Sequence, residues 1–524
     1  MTEEKIPKLH KAMLLFYCVC GLLLLMAFGL MIFRMVLNNE LKDKLNKIRA
    51  AGYPATLEEL NDYYPAVPDD ENAALLYEKA FPLFHDIDDN IFIKKNDSKK
   101  YSEQILNEMH NEEIQNEQSN RFKKLVLFYK GMPIPVLGER LSHESNIANR
   151  YFISVNNRCI SKLQQVAKLP QYRFPIDLNE GSGLLLPHLN SIRDVVRMLS
   201  IATILAAEDG NAQQATKHIL TMLMICHTLD KEPLLISYFV KIYSQRIIVD
   251  TIEYTLSLIK LDDASLNQIG EALETSISTF NSSFLCAFAG EQAMVFDFKF
   301  LKSSKIKSKY QVDKFTGILM LNQLKILEIY SMIFLLNYND FNSVKQYVKF
   351  YNKQKTAMND NYFWAKKFTR SIPPILYKKF IIETKIKAAI ISIAIERYQL
   401  KYHKLPDKLT KLVPEFIKKL PNDPFTDKPF HYVTGKIEIP VNQGDKRLYP
   451  KMGSHSKKYT YENGDTLNCL NRSGYMIYSY DQDGVDNSGV PIGISDSGLF
   501  GGSNDQQSDI SFRCIRKPAT RDNN

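Results

Sequence analysis

The stretch AMLLFYCVCGLLLLMAFGLMIF, residues 12–33, decides how this chain is organised. It holds 22 residues without a charge and is rich in Leu, Met and Phe. At about 1.5 Å per residue, a helix of this length spans a hydrocarbon core of roughly 30 Å. A cleaved signal peptide has a shorter apolar core and a small-residue cleavage site, whereas Arg34-Met35-Val36 follow here. The sequence therefore predicts an uncleaved signal anchor, with tail and span together in residues 1–36.

Basic residues on both sides of the predicted span bear on its orientation. Three lysines precede the span, and five basic residues follow it: Lys5, Lys8 and Lys11, then Arg34, Lys42, Lys44, Lys47 and Arg49. Counted alone, the excess after the span favours a cytoplasmic body. The tail is short, however, and its lysines lie directly against the apolar run, as in exported anchors. We therefore expect a single-pass protein of the cell membrane with its body on the extracytoplasmic side.

The rest of the chain has the composition of a folded protein. Of 524 residues, 45% are hydrophobic and 24% are charged, which is typical of packed domains and not of a disordered tail. The net charge of +9 is spread over 67 basic and 58 acidic residues. The densest basic run comprises Lys299, Lys302, Lys305, Lys307 and Lys309, followed by Lys314. Such a run suits anionic lipid or nucleic acid, but a solvated loop is commoner, and we expect no nucleic-acid partner.

Caps, prolines and glycines divide the remainder into three regions. We assign residues 37–95 to an N-terminal helical and linker segment, residues 96–372 to a helical array, and residues 373–524 to an α+β module. The first region holds a short helix from Glu40 to Ala50 and a second helix with Thr56 as N-cap and Glu59 as capping-box partner. Residues 88–118 are polar and Asn-rich, which predicts a loop or a weakly packed helix.

Helical periodicity is strongest between residues 187 and 280. Pro187 opens a first run that closes at Gly210, and a second run extends from residue 211 to residue 230. A third run begins at Pro233, and Asp262 or Asp263 caps a fourth. Because short turns join these runs, we expect antiparallel helical hairpins.

The C-terminal region changes from helical to strand-like patterns. Residues 376–402 predict one long helix, and prolines then punctuate the chain up to residue 429. Short β-prone pieces follow, with Tyr475–Tyr478 as the best strand and with turn signals at Thr434-Gly435, Asn463-Gly464 and Ser473-Gly474. The expected fold class is mainly α: a transmembrane helix, a helical hairpin array, and an α+β module of one long helix and a small antiparallel sheet.

Several short motifs in this region occur in the order of a known family. They are AIERY at 394–398, KLPD at 404–407, LVPE at 412–415, LPNDPF at 420–425, KPF at 428–430 and YSYDQDG at 478–484. Residues 380–512, about a quarter of the chain, thereby resemble the C-terminal module of the major pseudopilin of type II secretion systems. That resemblance implies a long helix, a small sheet and a calcium-binding loop. The family's processing signal before the hydrophobic helix is absent, since KLHKAM stands at residues 8–13, so we do not expect a processed pilus subunit.

Other segments carry a second resemblance. GYPATLEEL at 52–60, DENAA at 70–74, KEPLLI at 231–236 and GEQA at 290–293 resemble uncharacterised membrane-anchored proteins of planctomycete and lentisphaeral type. This resemblance implies an architecture and no activity.

No catalytic motif stands out in the sequence. It holds no nucleophile elbow, phosphate-binding loop or zinc-protease pair of histidines. Cys226-His227 would suit a reactive thiol, but a packed cysteine beside a boundary histidine is the commoner arrangement. Glu291 would suit a buried acid, although a carboxylate on a helix face is commoner. Cys469 and Cys514 share the C-terminal region and would pair if it is oxidised.

The segment DQDGVD at residues 481–486 suits calcium. Alternating carboxylates around a turn glycine supply the hard oxygen ligands that Ca²⁺ takes, although no EF-hand glutamate follows. A solvated acidic turn fits equally well, and both interpretations stay open. From the pseudopilin pattern we expect Asp483 as ligand and Asp509 as its distant partner, with Asp481, Asp486 and Ser479 as further ligand candidates. A divalent ion would close the Gly- and Ser-rich loop at residues 484–508, which has little apolar surface to bury.

These features together favour a non-enzymatic protein. We expect an extracytoplasmic scaffold or interaction protein, with envelope proteins as partners and a role linked to the envelope or to secretion machinery. The alternative is an enzyme with an unrecognised active site in the helical region. A deep pocket lined by carboxylates or histidines from several helices would favour that enzyme.

Overall fold

The computed structural model describes residues 5–86, 137–166, 171–295, 307–338, 340–440, 469–480 and 510–516. Within these ranges the protein is mainly helical with one small antiparallel sheet. The predicted loops at residues 88–118 and 484–508 lie outside them. The helices are α1 Lys5–Ala50, α2 Leu57–Tyr63, α3 Ala73–Ala80, α4 His143–Val155, α5 Asn157–Val166, α6 Pro187–Glu208, α7 Ala212–His227, α8 Leu235–Leu258, α9 Asp263–Ser278, α10 Phe280–Val295, α11 Lys307–Thr316, α12 Ile318–Phe334, α13 Phe341–Ala357, α14 Phe363–Thr369 and α15 Ile372–Tyr402. The strands are β1 His431–Pro440, β2 Cys469–Ser479 and β3 Ile510–Arg516.

The apolar run belongs to one helix of 46 residues, α1. The expected separate helix from Glu40 is wrong, because no proline or glycine between Arg34 and Ala50 interrupts the helical hydrogen bonds. Among the described residues, this is the single helix that is by itself long and apolar enough to cross a membrane, and its apolar window has no buried residue. The predicted apolar span is thus present, and it runs directly into the body.

The end of α1 packs against α12. Leu37 and Leu41 form a buried cluster with Leu324 and Leu327. At one end of this contact the Arg34 Nη1 atom donates to the Phe315 carbonyl at 3.1 Å. At the other end the ring centroids of Tyr53 and Phe334 lie 4.4 Å apart. The helix that would cross the membrane is therefore fixed to the body along several turns.

Local signals predicted the first helices of the body correctly. The Thr56 hydroxyl accepts from Glu59 N at 3.3 Å, as an N-cap should. The Glu59 carboxylate reaches one residue further back than in a standard capping box and accepts from Ala55 N at 2.8 Å.

The four runs of the helical array also lie where the sequence predicts them. Helix α6 begins at Pro187, Gly210 follows its end, and the side chain of Asn211 caps α7. The Asp262 side chain caps α9 by accepting from Ser265 N at 2.7 Å. Helix α8 begins at Leu235, two residues after Pro233. The prediction of successive helices with short turns is confirmed.

The sheet has the order β1–β2–β3, and both pairs are antiparallel. Tyr475–Tyr478 lies in the central strand, as predicted. Two of the predicted turns are wrong, because Gly435 and Gly474 lie opposite each other inside the β1–β2 ladder. The third, Asn463-Gly464, lies outside the described residues. A Cβ atom on Gly474 would lie 2.1 Å from the Cys514 carbonyl oxygen, so the glycine serves close strand approach.

The β3 edge of the sheet is covered by the helical array. Arg513 N donates to the Glu253 carboxylate at 2.6 Å, and Ile515 N donates to the Ser257 hydroxyl at 3.1 Å. Both acceptors are on α8, which thus satisfies donors that an edge strand would otherwise expose. On the inner face, Tyr475 Oη donates to Glu396 of α15 at 2.9 Å. The predicted boundary at residue 373 therefore falls on a helix whose buried residues share one core with both regions.

Candidate functional site

Among the calcium candidates, Ser479 lies within the described residues. It ends β2 and is fully buried. Its Oγ atom is 2.7 Å from Asp423 Oδ1 and 2.9 Å from the Tyr480 carbonyl oxygen. Asp423 belongs to the LPNDPF motif, but nothing in the sequence marked it as a neighbour of the predicted loop.

Asp423 is held in place by donors on three sides. Besides Ser479, it accepts from Phe425 N at 3.0 Å and from the Thr426 hydroxyl at 2.8 Å. Burial raises the pKa of its carboxyl above the usual range, and the hydrogen bonds partly offset this effect. These hydrogen bonds connect the proline-rich turn that contains Asp423 to the end of β2. They also position the Ser479 hydroxyl oxygen just before the predicted calcium-binding loop.

The aspartates of the predicted site, Asp481, Asp483, Asp486 and Asp509, lie outside the described residues. The strand register nevertheless bears on the loop, because Ser479 lies directly opposite Ile510. The chain thus leaves and re-enters the sheet at adjacent positions. The described ranges contain no group of three or more His, Cys, Asp or Glu side chains arranged to hold a metal ion. Calcium binding stays a prediction.

The suggested pairing of Cys469 and Cys514 does not occur. Cys514 lies opposite Tyr475 in the ladder, six positions along β2 from Cys469. At about 3.3 Å per residue this separation is roughly 20 Å, far beyond the reach of a disulfide. The Cys514 thiol is buried and donates to the Leu256 carbonyl oxygen at 3.3 Å.

A buried charged network lies around the turn between α7 and α8, which we call the KEP turn (residues 231–233). Both carboxylate oxygens of Glu232 are 3.1 Å from His188 Nε2 of α6. The Ser237 hydroxyl of α8 donates to the same carboxylate. The His188 ring stacks on Phe174, with centroids 4.2 Å apart. His188 and Glu232 are almost completely buried.

A second acid in this turn region, Asp230, pairs with a buried lysine. Its Oδ1 atom is 2.5 Å from Lys241 Nζ, and its Oδ2 atom is 2.8 Å from His227 Nδ1. Lys241 Nζ also donates to the Ser283 hydroxyl of α10 at 2.8 Å. Burial alone would raise the pKa of Asp230, but the charges of Lys241 and His227 lower it to about 2. Asp230 is therefore ionised at neutral pH, and its charge is compensated within the core.

The order of contacts in the network does not match that of a Ser-His-acid catalytic triad. In a catalytic triad the histidine stands between the acid and the hydroxyl, so that it can take the hydroxyl proton. Here Glu232 stands in the middle and accepts from both His188 and Ser237. The contacts therefore differ from those of a Ser-His-acid triad, and both partners hold the carboxylate. Such a network specifies how α6, α8 and the KEP turn fit together.

The thiols near the network are also poorly suited to react. Burial raises the pKa of Cys226 to about 12 and that of Cys286 to about 12, with the charge of Glu232 adding to the effect at Cys286. Both are therefore thiols and not thiolates at neutral pH. His227, next to Cys226, contacts Asp230 instead. The packed-cysteine interpretation of Cys226-His227 is confirmed.

Of the two interpretations of Glu291 given above, the carboxylate on a helix face agrees with its position. It lies on α10 with a partly exposed side chain, and desolvation raises the pKa of its carboxyl to about 7. Tyr330 lies close enough for the Glu291 charge to raise the pKa of its phenol further.

Three of the four segments that carry the second resemblance meet in space. Leu57 and Leu60 of the first segment share one buried cluster with Leu234 of the third and Ala293 of the fourth. At the centre, α10 crosses the KEP turn so closely that a Cβ atom on Gly290 would lie 1.6 Å from the Pro233 carbonyl oxygen. Sequence reasoning singled out these segments one by one but did not place them together.

Comparisons of the chain with protein-family models, with curated proteins and with solved structures find no match. Both resemblances stated from the sequence are therefore proposals that rest on their motifs.

Proposed function

We propose that this chain is a membrane-anchored scaffold or interaction protein whose body lies outside the cytoplasm. One observation supports the membrane anchor in this proposal: the apolar half of α1 is exposed along its length, and its polar half is docked on α12. A helix fixed in this way holds the body at a set height and angle over the bilayer. A flexible tether would not do so.

The state of the buried polar groups supports a role in binding over catalysis. Inside the core His188 contacts Glu232, and Lys241 contacts Asp230, so both carboxylates gain charge-assisted hydrogen bonds. This arrangement positions helices and leaves no free nucleophile in the network. It fits a body whose outer surface, and not its interior, meets a partner.

The C-terminal region supplies the proposed link to the envelope and to secretion machinery. We propose that its long helix, small sheet and DQDGVD loop form a pseudopilin-like module with a Ca²⁺ ion bound at Asp483 and Asp509. The adjacent ends of the loop at Ser479 and Ile510 suit such an ion. Because α8 covers the sheet edge, the module would act as part of the body and not as a pilus subunit.

Alkaline extraction of membranes from cells that express the full chain tests the anchor. We expect the wild type to stay in the membrane pellet and a Leu22→Arg, Leu23→Arg double variant to be extracted. Each arginine at the centre of a span costs about 2.5–3.5 kcal/mol. A Leu335→Arg variant, changed at an exposed leucine outside the span, should behave as wild type. Extraction of the wild type would contradict the proposal. If the wild type stays in the pellet, crosslinking in intact membranes would identify partners of the anchored protein.

A further inference from the structure

We infer that α11 is an interfacial helix that lies on the surface of an anionic bilayer and inserts Val312 and Phe315 among the lipids. This inference rests on the proposed membrane anchor. It concerns a part of the chain that the anchor does not explain.

The two faces of α11 differ sharply. Tyr310 and Asp313 are buried, and the Asp313 carboxylate accepts from the Trp364 indole nitrogen at 2.8 Å. Val312 and Phe315, three residues apart on the opposite face, are 58% and 68% exposed. The two side chains form one exposed apolar pair, which is held outward because the other face of α11 is buried in the body.

The position of α11 places this apolar pair at the edge of the bilayer. Arg34 is the first charged residue after the apolar run, so it marks the boundary between hydrocarbon and headgroups. Its guanidinium donates to the Phe315 carbonyl at 3.1 Å. The next glycine, Gly317, lies against Arg34 and Phe33, since a Cβ atom there would be 3.2 Å from Arg34 Cγ. Phe315 is thus at the level where the span ends.

The direction of α11 also fits a membrane surface. Helix α12 runs alongside the part of α1 that comes after the apolar run. It starts after Gly317, which lies beside Arg34, and it ends at Phe334, which lies beside Tyr53. A bend of 89° separates α11 from α12. Helix α11 therefore runs across the axis of α1, roughly in the plane of a membrane that α1 crosses.

A broken transmembrane span formed by α11 and α12 does not fit these contacts. Helix α12 packs against Leu37 and Leu41, which lie beyond the apolar run of α1. It also buries Asn322 and carries an ion pair between Lys325 and Glu328 at 2.8 Å. These are features of a core helix outside the membrane.

The charges near α11 suit anionic lipid headgroups. Lys307 and Lys309 lie in its first turn, Lys314 is exposed near its end, and Arg34 lies beside it. Aromatic and aliphatic side chains flanked by lysines on a short helix are typical of interfacial anchors. This gives the basic run a role that a solvated loop would not have. Its earlier lysines, Lys299–Lys305, lie outside the described residues.

Tryptophan quenching by brominated lipids tests the inference with the full chain in nanodiscs. Three single variants place a reporter at exposed positions: Leu22→Trp in the span, Phe315→Trp on α11, and Leu335→Trp at the far end of α12. The wild type, with buried Trp364, supplies the background. We expect loss of emission from the Leu22 and Phe315 reporters and none from the Leu335 reporter.

Each other outcome identifies which claim fails. Quenching at Leu22 without quenching at Phe315 would overturn the interfacial helix and leave the anchor intact. No quenching at Leu22 would overturn the anchor itself. We expect the loss at Phe315 to be larger in discs that contain phosphatidylglycerol than in discs of phosphatidylcholine alone, because of the lysines. Equal loss in both would overturn the preference for anionic lipid.

Discussion

Replacing Gly290 with alanine tests whether the KEP turn and α10 are packed backbone to backbone. The added Cβ atom would lie 1.6 Å from the Pro233 carbonyl oxygen, whereas a carbon normally stays about 3.3–3.6 Å from a carbonyl oxygen. The helix and the turn must therefore separate by about 1.7 Å or more. Neither partner is a side chain that can rotate away.

The magnitude follows from two opposing effects. Overpacking a well-packed core costs about 1–3 kcal/mol, and a contact with backbone belongs at the upper end of that range. Alanine regains about 1 kcal/mol over glycine within a helix. We therefore expect a net loss of about 2 kcal/mol in the free energy of unfolding. The loss would be larger if movement of the turn breaks the pair between Glu232 and His188, since a buried hydrogen bond to a charged group contributes about 1.5–3 kcal/mol.

A matched control is available in α9. A Cβ atom on Gly270 would meet a side-chain atom, Ile393 Cγ2, at 3.3 Å. Gly270→Ala should therefore stay within about 1 kcal/mol of wild type. Urea titration of the full chain in mild detergent, followed by circular dichroism, gives the comparison. A Gly290→Ala midpoint equal to that of wild type or of Gly270→Ala would refute the described packing of α10 on the KEP turn.

Three further outcomes are expected. Burial raises the pKa of Glu253 to about 7, so the folded state binds its proton more tightly than the unfolded state, and stability should fall as pH rises from about 5 to about 8. Glu253→Gln, which keeps an acceptor for Arg513 N, should flatten this slope in thermal melts, and an unchanged slope would exclude Glu253 as its source. Gly474→Ala should lower the melting temperature of the full chain, because its Cβ would lie 2.1 Å from the Cys514 carbonyl oxygen, and an unchanged melt would contradict the described register. Ca²⁺ at a hundredfold excess over its dissociation constant should stabilise the protein by about 2.7 kcal/mol. This effect should be lost in Asp483→Ala, and a calcium shift that survives the substitution would exclude the site.

Features that depend on neighbouring residues were predictable from the sequence. Pro187, Gly210 and Asp262 act on the backbone within one turn of the helix they start or end, so their helices lie where the pattern placed them. The length of α1 was not predicted, because the change from apolar to polar residues near Glu40 resembles the start of a separate helix. In a helix without a breaking residue, such a change alters the surroundings and not the backbone.

Features that depend on distant residues could not be read from the sequence. His188 meets Glu232 across 44 positions, and Arg513 meets Glu253 across 260 positions. No local pattern links either pair. The sequence favours a turn at Gly474 because glycine serves both turns and close strand approach, and only the opposing strand distinguishes the two. The same limit applies to Asp423, whose contact with Ser479 comes from folding of the proline-rich segment onto β2.

The side of the membrane on which the body lies is tested most directly by reporters fused after Tyr53 in a bacterial host. This position follows the end of α1 and precedes α2. Alkaline phosphatase folds into an active enzyme only outside the cytoplasm, and a fluorescent protein that matures only in the cytoplasm gives the opposite signal at the same site. A membrane anchor with an extracytoplasmic body predicts an active phosphatase and a dark fluorescent fusion. Fluorescence with an inactive phosphatase would contradict that account.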